Sequence, residues 1–127
     1  METAPDALEA AQGALVAVGD HERAAEAEVL LAGTWFRRAQ RDRSLEHIAR
    51  AVSLVEQDLP SPAKARVLSE VARHGMLMSD FEDALRVGRE AVGMAEALGL
   101  EEIHAHALDT VGCARFFLGD SEGREDV

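Results

Sequence analysis

Residues forty positions apart echo one another along this chain. Leu31-Ala32, Val71-Ala72 and Val111-Gly112 fall at equivalent places in three successive blocks, Leu68 and Leu108 keep the same spacing, and so do Ala51-Val52 and Ala91-Val92. A fixed period of this length within a helical pattern marks a stacked repeat, because one hairpin cannot bury its apolar face without a neighbour. The echo therefore predicts an all-α chain of antiparallel helical hairpins whose purpose is to present a surface to a partner.

The local signals place about six helices. Pro5 and Asp6 open the first, with Leu8, Ala11, Leu15 and Val18 along one side, and Gly19 stops it. Asp20 suits the N-cap of the second, whose apolar stripe holds Ala24, Ala27, Leu31 and Trp35. A turn at Gln40 to Asp42 leads to a third helix with Leu45, Ile48, Ala49, Val52 and Val55. Leu59-Pro60-Ser61-Pro62 is a clear break: Pro60 cannot continue a helix, Ser61 suits an N-cap and Pro62 the first helical position. The fourth helix runs to about Met78, and Asp80 reads as the N-cap of a fifth that ends at Leu98, with Gly99 as a left-handed terminator. Glu101 and Glu102 load the start of the sixth, where the helix dipole favours negative charge, and Gly119-Asp120 end it. The small residues Ala32, Ala72 and Gly112, with Ala51 and Ala91, mark places where two helices approach closely. A large side chain there would overpack the contact at a cost of about 1–3 kcal/mol.

Composition excludes several classes. At 127 residues the chain fits one domain, and its formal net charge of −11 lacks the basic stripe that releases counterions from phosphates. Direct nucleic-acid binding and adhesion to anionic lipid are not expected. Cys113 is the only cysteine, the Met1 end carries no signal-peptide pattern, and no apolar run approaches membrane-spanning length. The expected setting is cytoplasmic, with neither disulfide nor membrane anchor.

The stretch Ala107-Leu108-Asp109-Thr110-Val111-Gly112-Cys113-Ala114-Arg115-Phe116-Phe117-Leu118-Gly119-Asp120 resembles the first helix and turn of a tetratricopeptide repeat (TPR). Val67 to Ala95 match that pattern more fully: Leu68, Val71 and Ala72 stand in the first helix, and Asp80, Phe81, Ala84 and Ala91 in the second. Ala27 to Val55 match more weakly, with Ser44 and Arg41 departing from the usual small and aromatic residues. The resemblance implies a right-handed TPR-like superhelix (an α-solenoid), in a single domain over 1–127. Residues 1–19 would be the second helix of a partial repeat, 20–59 and 60–99 full repeats, and 100–127 another partial one. The period exceeds the usual length of about 34 residues. In that respect the chain is similar to arrays in large bacterial regulators such as LuxR-type and cyclase-like ATPases. A fragment of a larger protein is expected, or a chain completed by self-association through open repeat ends.

In such arrays the first helices line a concave groove. The resemblance assigns to it Glu26, Val29, Gly33, Phe36 and Arg37, then Arg66, Ser69, Arg73, Met76 and Leu77, then His106, Asp109, Cys113, Phe116 and Phe117. Three arginines against two carboxylates make this set slightly positive, and a guanidinium fork suits a carboxylate or phosphate. The expected occupant is a peptide or protein carrying an acidic group beside an apolar side chain. Phe36, Met76 and Phe116 share the forty-residue period and equally suit the core between repeats.

No constellation of catalytic residues emerges. His104 and His106 fall on different sides of a helix, and His106 with Cys113 supplies too few ligands for zinc. Cys113 is expected to be buried and inert, His47 and His74 to lie on the surface or at an interface, and Trp35 to anchor the core. The pairs Glu82-Asp83, Glu101-Glu102 and Glu125-Asp126 are better explained by helix ends and solubility than by acid/base work. No phosphate-binding loop, dinucleotide fingerprint or nucleophile elbow is present. The expectation is thus a non-enzyme without cofactor or metal: a protein-interaction module, the scaffold or sensor segment of a bacterial signalling or transcriptional regulator. A receptor domain for a small molecule or signalling peptide, and an oligomerisation unit, are the competing expectations.

Overall fold

The computed structural model describes residues 4–17 and 20–119, with the side chains of 4, 5 and 15–17 left aside. Among the described residues the chain is wholly helical, in the order α1 (Ala4–Ala17), α2 (His21–Arg37), α3 (Arg41–Val55), α4 (Pro62–Leu77), α5 (Phe81–Leu98) and α6 (Glu101–Leu118). It divides into two compact units, Met1–Leu59 and Pro60–Val127, with the boundary inside the Leu59–Pro62 break. No described helix is long and apolar enough to cross a membrane.

In the first unit α2 packs against both α1 and α3. Asp20 caps α2 by accepting a hydrogen bond from the Arg23 backbone N–H at 3.2 Å. Ala24, Ala27 and Leu31 are buried as the periodicity requires, and Trp35 is half-buried. The stripe expected on α3 is rotated: Val55 is buried as expected and Ile48 and Val52 are half-buried, but Leu45 and Ala49 are exposed, and Ser44, His47 and Ala51 are buried instead. Two polar partners explain the rotation, since the Ser44 hydroxyl donates to the Ala32 carbonyl at 2.7 Å and His47 meets Glu28 of α2. On α1, Leu8 is half-buried and Ala11 exposed; Leu15 as a side chain, and Val18 and Gly19 altogether, lie outside the described residues.

In the second unit α4, α5 and α6 all pack against one another. Ser61 caps α4, accepting from the Lys64 N–H at 3.1 Å, and Pro62 occupies its first turn. Gly99 terminates α5 with φ +69°. Asp80 holds the N-cap position of α5, but its side chain makes no cap hydrogen bond. Close approach falls on Gly88, where an added Cβ would lie 2.8 Å from a Val111 methyl and 3.7 Å from the Ala72 methyl.

The two hairpin turns are built alike and without glycine. Ala39 (φ 61°) and Ser79 (φ 62°) adopt the left-handed conformation forty residues apart. In each turn the following N–H reaches back five residues: Gln40 to the Trp35 carbonyl at 2.8 Å, and Asp80 to the Gly75 carbonyl at 2.8 Å. This is the six-to-one bond of a Schellman helix end. It places the first turn at Arg38–Gln40, two residues before the expected site.

The small residues expected at close contacts behave in two ways. Ala32, Ala51, Ala72 and Ala91 are all buried. Gly112 is exposed, and a Cβ added to it meets nothing within 4 Å, so no helix presses on it among the described residues. Asp120, expected with Gly119 to end α6, and Glu125-Asp126 lie outside the described residues.

Candidate functional site

Helical rotation sorts the groove residues of the second unit into two exposed stripes. On α4, Arg66, Glu70, Arg73 and Leu77 follow the i, i+4, i+7, i+11 spacing of one face; Arg66, Arg73 and Leu77 are exposed and Glu70 half-exposed. On α6, His106, Asp109, Cys113 and Phe117 follow i, i+3, i+7, i+11, and all four are exposed. The two helices touch, so both stripes belong to one three-helix unit. Ser69 is buried and Met76 half-buried, and both line the packed side of α4 rather than its exposed stripe.

On the α4 stripe Arg73 is weakly engaged. Arg73 lies 3.9 Å from Glu70 with both side chains substantially solvated, a pair that adds little to stability. An arginine held this loosely gives up little when it turns to another carboxylate. The apolar end of the surface is aromatic: Phe117 stacks on Phe81 of α5 with ring centroids 4.8 Å apart and 10° between planes. Phe116 meets Phe117 edge-on at 5.4 Å and stays 64% exposed. Cys113 is exposed rather than buried, because the face of α6 that packs inward is that of Ala107 and Ala114.

In the first unit, Phe36 is half-buried and Arg37 exposed, with the Arg37 guanidinium 3.4 Å from the Thr34 hydroxyl that accepts from it. Trp35 is clamped rather than simply buried: the Arg43 guanidinium sits 4.5 Å from its ring centroid and that of Arg38 5.9 Å. A hollow of about 380 Å³ between α1 and α3 is lined by Gln12, Ala49, Arg50, Ser53 and Leu54, and it gathers no chemistry-bearing cluster.

The polar pair that sequence reasoning missed lies inside this unit. Glu28 is 1% exposed and His47 4% exposed, yet His47 Nδ1 lies 2.6 Å from Glu28 Oε2, the N–H donating and the carboxylate accepting. Glu9 Oε1 of α1 stands 3.7 Å from His47 Nε2, itself about half-exposed. His47 is therefore internal, tying three helices together. His74 is also buried, and desolvation, helped by the neighbouring Arg73 charge, pushes its imidazole below its ordinary value. Among the described residues no group of three or more His, Cys, Asp or Glu side chains could hold a metal ion.

Comparison with family models, with curated proteins and with solved structures gives no match.

Proposed function

We propose that the chain is a TPR-like protein-interaction module whose exposed α4 and α6 stripes receive a peptide or protein carrying an acidic group beside an apolar side chain. The observation that carries this reading is the packing of α4 against α6 within one unit, with Arg66, Arg73 and Leu77 on one exposed stripe and His106, Asp109 and Phe117 on the other. Arginine supplies the carboxylate fork, and Leu77 with the Phe81–Phe117 pair supplies the apolar anchor. In this reading the hairpins continue as a right-handed superhelix, and the chain serves as the scaffold or sensor segment of a cytoplasmic bacterial signalling or transcriptional regulator.

The test is fluorescence anisotropy of the intact protein against short labelled peptides that pair Asp or Glu with Leu or Phe, beside lysine-substituted controls. Binding of the acidic peptides should weaken about tenfold, or about 1.4 kcal/mol, in the Arg66→Ala/Arg73→Ala double variant. Equal binding of acidic and lysine peptides, or affinity unchanged by the double variant, would refute the proposal.

A further inference from the structure

The forty-residue register exposes two faces that are each covered elsewhere in the same chain. On α6, Ala105, Leu108 and Gly112 are exposed. Forty residues earlier Ala65, Leu68 and Ala72 are buried, and eighty earlier so are Ala25, Glu28 and Ala32. In both earlier cases the cover is the following helix of the hairpin, α5 on α4 and α3 on α2. The opposite half is exposed on α1 among the described residues. Ala7 and Ala11 are exposed, whereas His47 and Ala51 on α3, and Val87 and Ala91 on α5, are buried.

We propose that α1 of a second copy covers this face of α6, completing a hairpin between two chains. The pairing follows from contacts made within one chain. His47 meets Glu28 across α2 and α3, so the residues forty before and eighty after, Ala7 and Leu108, stand opposite one another. Ala51 and Ala25, both 0% exposed, lie on the same two faces one turn further along; their equivalents are Ala11 and Ala105. Small residues on α1 against Leu108 and the bare Gly112 allow the helices to approach closely, and burial of Leu108 (46% exposed) and Phe116 (64% exposed) supplies the hydrophobic gain. The contact joins different faces and is heterologous, so it closes into a ring or propagates from copy to copy. Leu108 and Gly112 lie on neither exposed stripe of the proposed ligand surface, although Phe116 adjoins Phe117 at its aromatic end; the mass readout does not depend on peptide binding.

The experiment is sedimentation velocity of the full chain over a wide concentration range, with variants blocked on one face each. The wild-type weight-average mass should rise at least twofold with concentration. It should rise further with added salt, because each copy carries a net charge of −11 and salt screens the repulsion. Ala11→Glu and Leu108→Glu should each stay at the monomer mass. An equimolar mixture of the two should form one-to-one dimers and nothing larger, since it contains one intact α6 face and one intact α1 face. Circular dichroism checks folding; if Leu108→Glu does not fold, Gly112→Leu blocks the same face from an open position. A monomeric wild type, a single variant that still associates, or a mixture that stays monomeric overturns the proposal.

Discussion

The Glu28–His47 pair has an apolar counterpart in the same chain, which makes its energetics testable. Forty residues on, the equivalent positions are Leu68 and Val87, both buried. Glu28→Leu alone removes the acceptor 2.6 Å from His47 Nδ1 and leaves a 4%-exposed imidazole without its buried partner. His47→Val alone strands a carboxylate that is 1% exposed. Breaking a buried pair from one side costs about 3–5 kcal/mol, a large share of the roughly 5–15 kcal/mol that holds a domain together. Replacing both at once restores an apolar contact that this fold already tolerates. Such swaps are neutral or stabilising by about 1–4 kcal/mol, less about 1 kcal/mol for the volume lost at His47. Glu9 also loses its neighbour, but at 3.7 Å and half-solvated it contributes little. The assay is urea unfolding followed by fluorescence of Trp35, the only tryptophan, which sits in the same unit. Both single variants should lower stability sharply, and the double variant should lie within about 1 kcal/mol of wild type or above it. Single variants costing under about 1 kcal/mol, or a double variant no better than the worse single, would refute the reasoning.

Three further outcomes follow. Gly88→Ala should destabilise by up to about 2 kcal/mol, because overpacking Val111 outweighs the helix-propensity gain; Gly93→Ala, with nothing within 4 Å of the added Cβ, should stabilise by about 0.5–1 kcal/mol, both read by thermal unfolding. The His74 imidazole is lowered from 6.5 in the fold, so the unfolded chain takes up its proton first as pH falls. Its contribution is thus fully present above pH 6.5 and declines as pH falls below it; urea midpoints from pH 8 to 5 should show this loss, and His74→Ala should flatten it. Arg43→Ala should expose the Trp35 ring and shift its emission to the red, losing about 0.5–1 kcal/mol; an unshifted spectrum would remove the cation–π clamp from the account.

Helix positions were legible wherever a residue had one stereochemical use. Pro62 after Ser61, Asp20 before a periodic run, and Gly99 after Leu98 each act within one turn of their own sequence. Legibility failed where the cause lies on another helix. Glu28 and His47 stand nineteen residues apart and look like ordinary solvated side chains until the register places them at the core positions of Leu68 and Val87. That alignment was the available signal: two polar residues at facing apolar positions of one repeat. Gly112 misled for the converse reason, since smallness marks a contact only where a second helix is present to make it. The aromatic end of the α4–α6 surface was half legible. Phe117 belonged to the expected set, but Phe81, which holds it, sits on α5. The proposed docking surface left the faintest trace, because its residues are solvated and their types are individually unremarkable.

The corners at Ala39 and Ser79 bend against the grain of L-amino acids, a conformation that costs on the order of 1–2 kcal/mol for a residue with a side chain. What holds them is the hydrogen bond that the next N–H, of Gln40 or Asp80, donates back to a carbonyl of the preceding helix, so bend and helix end stand or fall together. When either helix frays, its corner relaxes at once, and the hairpin opens from the tip like a hinge whose pin has been drawn.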